Sequence, residues 1–82
     1  ERSYVIVRKM EIYKIKLNNL TDRAYRLLEL YLIEIGYYFS DDEQTIEWVR
    51  KPELKKIKQF VSNFDNTTIE ILDTKTVDFF KE

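Results

Sequence analysis

The chain of 82 residues contains no cysteine and no histidine, which limits how so short a chain can be stabilised. Disulfides and structural zinc sites, common supports for domains near this size, need those residues. The fold must therefore depend on a hydrophobic core alone, or on a partner subunit that extends the core. Length and composition predict one domain spanning residues 1–82 and favour self-association.

The same absences argue against catalysis. Histidine and cysteine carry much of the acid–base, nucleophilic and metal chemistry near neutral pH, and the single glycine excludes a glycine-rich phosphate loop. We therefore expect a non-enzymatic protein with no cofactor and no metal centre. The densest acidic group, Asp41, Asp42 and Glu43 with Glu47, has no spaced loop with glycine. A solvated turn is the favoured interpretation there, and a Mg²⁺-dependent carboxylate enzyme using Asp41 and Asp42 is the weakest alternative.

Charge is dense but balanced, with 14 basic and 15 acidic residues and a formal net charge of −1. A dedicated duplex-DNA binder normally carries a clear basic excess. The apolar residues 4–7 are followed at once by Arg8 and Lys9, so the pattern is neither a signal peptide nor a membrane span. We expect a cytoplasmic protein that binds no membrane.

Two helices are predicted. The first covers residues 22–35, with Thr21 as N-cap and Gly36 as the left-handed C-cap. Its apolar residues recur at intervals of three and four, and Leu30 and Ile33 widen the stripe enough for the helix to be buried on more than one side. The second helix covers residues 52–64 and begins at Pro52, since proline is favoured at the first helical position.

Strands are predicted for most of the remainder. Residues 11–17 alternate, and residues 4–7 are strand-like. The pattern breaks at Arg8 and Lys9, which predicts a bulge, a bend or a separate edge strand there. Residues 37–40 and 45–50 flank a polar turn and predict a hairpin. Residues 67–72 form a further strand, and a turn at residues 73–75 leads to a last short strand, residues 76–80. The order predicts an α+β fold, a ferredoxin-like βαββαβ sandwich with both helices on one face of an antiparallel sheet. A five- or six-stranded sheet, with strands added by the termini, is the alternative.

Alternation assigns side chains to the two faces of this sheet. Tyr13 and Ile15, with Ile46 and Trp48, are expected to face the helices, because Lys14 and Glu47 would be costly to bury. The free face is then half apolar, a composition that often marks an interface. We predict a protein interface, in a homo-oligomer or a larger assembly, either on this face or at an edge strand. Its predicted residues are Ile12, Lys14, Lys16, Tyr38, Val49 and Leu72.

Nucleic-acid binding is the alternative function. A basic run enters the second helix, and the first strand carries a second basic group, Arg8, Lys9, Lys14 and Lys16. Phosphate backbones could dock on these residues with weak sequence specificity. Sheets that bind RNA stack bases on exposed aromatic side chains, and the inward assignment of Trp48 leaves few such platforms. The predicted residues for this alternative are Arg50, Lys51, Lys55 and Lys58, although the solvent face of an amphipathic helix is the favoured interpretation of this run.

Overall fold

The computed structural model describes the backbone of residues 5–81 and the side chains of residues 9–78. Three strands and two helices follow one another along the chain. They are β1 (Val5–Asn18), α1 (Asp22–Ile35), β2 (Thr45–Arg50), α2 (Lys51–Val61) and β3 (Thr68–Lys81). The sheet order is β2-β1-β3, and both pairs are antiparallel. The α+β class is confirmed.

The boundaries of α1 are those that the sequence predicts. The backbone N–H of Ala24 donates to the Thr21 hydroxyl oxygen at 3.1 Å, which caps the first turn. Gly36 ends the helix with φ 93°, a left-handed conformation that costs glycine little. The second helix ends at Val61, three residues before its predicted end. Residues 62–64 form turns, in which their N–H groups donate to carbonyls three or four residues earlier in the chain. Pro52 lies at the start of the second helix.

Both helices pack on one face of the sheet, over one core in the described part of the chain. Ile15 and Leu17 of β1, which alternate onto the same face, are almost fully buried with residues of both helices. Each side chain of this kind contributes roughly 1.5–3 kcal/mol by leaving water. The core cluster consists of Ile15, Leu17, Leu28, Leu32, Ile46, Val49, Leu54, Ile57 and Val61.

The predicted four-stranded ferredoxin-like order is not confirmed, because residues 5–81 contain three strands. Residues 37–40 form no ladder. Instead, the Ser40 N–H donates to the Thr45 carbonyl oxygen at 2.8 Å, and the Glu43 N–H donates to the Ser40 carbonyl oxygen at 2.9 Å. These bonds fold the segment into a turn before β2, so the predicted hairpin was wrong.

The terminal strands are longer than predicted. The turn expected at residues 73–75 does not form, because Asp73, Thr74 and Lys75 each pair with a residue of β1. At the other end, β1 is one continuous strand whose register shifts between Ile6 and Arg8, slightly before the predicted bulge. Tyr4, the first residue of the predicted strand, lies outside the described residues.

These two strands give the molecule its shape. β2 ends at Arg50, which pairs with Ile12 of β1. Beyond this point β1 and β3 pair only with each other. We call residues 5–11 of β1 and 76–81 of β3 the arm, and the rest of the described chain the body. The molecule measures 57 × 23 × 23 Å, with a radius of gyration of 15.3 Å. A compact chain of this length has about 12 Å, so the arm makes the molecule elongated.

Candidate interaction surface

The outer face of the sheet, opposite the helices, carries part of the predicted interface. Ile12, Lys14 and Lys16 alternate with the buried residues of β1 and are themselves half-buried. Lys14 reaches Glu47 of β2, with 3.8 Å between the ammonium nitrogen and the carboxylate oxygen. The pair is largely exposed and contributes little to stability. These three side chains lie on the face to which the sequence assigned them.

A bulge in β2 reverses the predicted faces of two residues. Tyr13 pairs with Val49 and Ile15 with Ile46, so Glu47 and Trp48 together oppose Lys14. The extra residue brings Val49 onto the helix side, where it is fully buried. The prediction that Val49 faces outward was therefore wrong.

The bulge also turns Trp48 away from the predicted face. The Lys75 ammonium lies 4.0 Å from the centre of the Trp48 ring. Lys75 pairs with Ile12 and so belongs to the outer face, which places the indole over β1 on that face. The inward assignment of Trp48 was wrong, and the outer face carries one aromatic platform. The backbone of Trp48 has a φ of 57°, which is left-handed and strained for a bulky residue.

The remaining two predicted interface residues lie elsewhere. Tyr38 is 71% exposed, but it lies in the loop after α1 and shares a shallow depression with Gly36 and Glu47. Leu72 is 45% exposed and is the extra residue of a bulge in β3, where Lys14 pairs with Asp73 and Ile15 with Ile71. Of the predicted set, only Val49 is therefore buried on the helix side.

The basic residues predicted for nucleic-acid binding are exposed, but one of them already forms an ion pair. Arg50 donates to both carboxylate oxygens of Glu53, at 2.7 and 3.1 Å. The Tyr37 hydroxyl and the Glu53 carboxylate raise the pKa of Arg50. Lys51, Lys55 and Lys58 lie on the solvent side of α2, where a phosphate chain could reach them.

The predicted acidic turn is organised around one carboxylate. Asp42 accepts hydrogen bonds from the hydroxyls of Ser40 and Thr45 at 2.8 and 2.6 Å, and from the N–H groups of Gln44 and Thr45. These donors, the Thr45 hydroxyl above all, hold the pKa of Asp42 well below its usual range. Its oxygens are occupied in closing the turn, and residues 9–78 bring together no group of three metal-ligating side chains.

Two tyrosine hydroxyls are also perturbed. Tyr13 donates to a Glu11 carboxylate oxygen at 2.6 Å, and this hydrogen bond raises the pKa of the phenol. Burial and the nearby Glu29 and Glu43 carboxylates raise the pKa of Tyr25. Both shifts make the phenols weaker acids, so neither tyrosine is activated as a base or nucleophile.

An edge that the sequence did not locate runs along β3. Within the described chain β3 pairs on one side only, with β1, along its whole length except at the Leu72 bulge. Its other side presents a row of backbone N–H and C=O groups, which is a template for another strand. The Leu72 bulge interrupts the regular spacing of this edge, so its longest regular stretch leads into the arm.

No family model, no curated protein and no solved structure matches the chain. Neither helix within residues 5–81 has the length and apolar character needed to cross a membrane.

Proposed function

We propose that this protein is a non-enzymatic interaction module that associates with a second copy of itself by extending its sheet at the edge of β3. The arm is the observation that carries the proposal. Among the described residues no third strand pairs with this ribbon of two strands, and such a ribbon is marginally stable alone in water. Pairing with another strand supplies both main-chain hydrogen bonds and side-chain contacts.

The composition of the arm supports this function. Its sequence includes Val5, Ile6 and Val7 on one strand and Phe79 and Phe80 on the other. Such residues favour strands and are rich in apolar surface. Within the arm, Lys9 pairs with Asp78 at 3.7 Å, and both side chains are substantially exposed. An exposed ion pair stabilises the ribbon only slightly, so a partner strand has much to contribute.

Lysine placed on the edge tests the proposal. Thr76 and Thr68 are both exposed residues of β3, one in the arm and one at the start of the strand. Thr76→Lys adds charge where a second copy pairs, so we expect a lower average mass in sedimentation velocity and an unchanged far-UV spectrum. Thr68→Lys, on the other side of the bulge, is the matched control and retains the mass of the wild type. Equal masses for all three proteins would refute pairing at the arm.

Nucleic-acid binding is a second candidate, favoured by the position of Trp48. Its ring lies on the open face of the sheet, beside Lys75 and near Lys14. Base stacking on such a ring contributes about 1–3 kcal/mol per base. Fluorescence anisotropy with mixed-sequence oligonucleotides at low and near-physiological salt tests this. Salt-sensitive binding that Trp48→Ala weakens supports it, and no binding at low salt removes it.

A further inference from the structure

The helix α1 has a second apolar face that the body does not cover. Its core face consists of Ala24, Leu28 and Leu32. On the other side, Leu27, Leu30 and Ile33 follow at intervals of three and are 41%, 67% and 50% exposed. Single exposed leucines are ordinary, but three at this spacing form a continuous stripe along one side of a helix. The sequence predicted burial on more than one side, and the described chain supplies cover for only one.

A rigid aromatic border lies beside this stripe. Tyr31 of α1 stacks on Phe60 of α2, with 4.6 Å between ring centres and 6° between ring planes. Phe60 in turn meets Phe64 edge-on at 5.6 Å. Together with Leu27, Leu30 and Ile33, the first two rings line a shallow groove that also includes Glu34. A surface of this kind, apolar at the centre with charged residues beside it, suits a protein partner.

The charges along α1 are divided between its two halves. Asp22, Arg23 and Arg26 lie in the first half, which has a net positive charge, and Glu29 and Glu34 lie in the second half. All five are exposed, and none takes part in the ion pairs found among the described side chains. An antiparallel copy of the same helix would bring each basic half against an acidic half, and would also oppose the two helix dipoles.

We propose that this second face of α1 binds the same face of a second copy, with the two helices antiparallel and Leu30 at the two-fold axis. In a helix of 1.5 Å rise, Arg23 lies about 10.5 Å before Leu30 and Glu34 about 6 Å after it. Because successive residues are 100° apart around a helix axis, Arg23 and Glu34 project to the same side of Leu30. In the antiparallel pair, Arg23 of one copy and Glu34 of the other are about 4.5 Å apart along the helix axis, a distance that two long side chains can span. Each dimer then contains this ion pair twice.

This interface is separate from the edge of β3 and does not depend on it. A two-fold interface uses one patch on each subunit, so a chain with two such patches assembles beyond the dimer. Either patch alone gives a dimer, and loss of both gives a monomer. The two proposals can therefore be tested apart.

Sedimentation velocity over a range of concentrations tests the α1 interface in the Thr76→Lys background. We expect a dimer there, and a monomer when Leu30→Glu is added. Asn66→Glu adds the same charge at an exposed position in the loop after α2 and retains the dimer. A Thr76→Lys protein that is monomeric with Leu30 intact overturns the α1 interface, whatever the result for the arm.

Charge exchange tests the antiparallel arrangement. Arg23→Glu places two acidic residues together at both symmetric contacts, so we expect the dissociation constant of the dimer to rise about tenfold. Glu34→Arg places two basic residues together there and should have the same effect. The double variant Arg23→Glu/Glu34→Arg restores the opposite charges and should restore affinity to within about threefold of the parent protein. Failure of the double variant to recover affinity overturns this pairing.

Discussion

The body and the arm share two strands but differ in what surrounds them. In the body, β1 is flanked on both sides and covered by two helices, and Ile15 and Leu17 are buried almost completely. In the arm, the same strand has one neighbour, and Met10 and Val77 are only half-buried. The contrast indicates that the body provides most of the stability of the isolated chain, and our proposal is that the arm gains stability by pairing with a second copy.

The largest effect is expected in the core of the body. Leu28 is fully buried between α1 and the sheet, so Leu28→Ala should lower the free energy of unfolding by about 3 kcal/mol. Urea denaturation followed by far-UV circular dichroism measures this. Leu72→Ala, at a 45% exposed site, is the control, with an expected loss below about 1 kcal/mol. A loss for Leu28→Ala no larger than the loss for Leu72→Ala would show that the core is not packed around Leu28.

A matched pair of valines compares the two regions directly. Val49 is fully buried in the body, and Val77 is half-buried in the arm. We expect Val49→Ala to cost about 2 kcal/mol and Val77→Ala less than about 1 kcal/mol, because burial determines how much apolar surface is lost. The measurement is urea denaturation at a concentration where the protein is monomeric. Equal losses would mean that the arm packs as tightly as the body.

The turn before β2 should make the body sensitive to acid. The pKa of Asp42 is lower in the folded state than in the unfolded chain, so its stabilising contribution is present above the unfolded pKa of about 3.9. That contribution is lost as the pH falls through the folded pKa. Asp42→Asn should lower the thermal midpoint at pH 6, and the difference from wild type should shrink below about pH 4. Asp41→Asn removes the same charge, from a side chain with no hydrogen bond among those described, and should leave the midpoint nearly unchanged. A pH-independent difference for Asp42→Asn would contradict this account.

The smallest effect is expected where the two regions join. Lys75 lies over Trp48 at the base of the arm, and Lys75→Gln removes this contact at a cost of about 0.5 kcal/mol. The emission of Trp48, the only tryptophan, should shift as its surroundings become wetter. Lys55→Gln removes an equal charge from α2 and should leave the emission unchanged. An unaltered spectrum in Lys75→Gln would show that Trp48 and Lys75 do not interact in solution.

The local signals in the sequence were sufficient to predict α1. Its Thr21 and Gly36 caps act within a few residues of the chain, so the boundaries needed no tertiary information. The faces of β2 depended on pairing with β1 and were predicted wrongly for Trp48 and Val49. One signal was available there: Ile46 and Val49 are both aliphatic but three apart, a spacing that strict alternation cannot place on one face. Such a spacing within a strand indicates a bulge.

The length of β3 could not be predicted from its own residues. Asp73, Thr74 and Lys75 have the composition of a turn, yet each pairs with β1 in a continuous ladder. A partner strand more than fifty residues away outweighs this local preference. The arm, and with it the candidate edge, therefore depended on information that only the folded chain contains.

We propose that association stabilises the arm, and amide hydrogen exchange measured at several protein concentrations tests this. We expect the amides of residues 76–81 to be protected at high concentration and to lose protection on dilution, while those of Leu28 and Leu32 exchange slowly throughout. Thr76→Lys should abolish the concentration dependence. Protection of the arm that is the same at every concentration would contradict the claim, since it would show that the two-stranded ribbon is stable by itself.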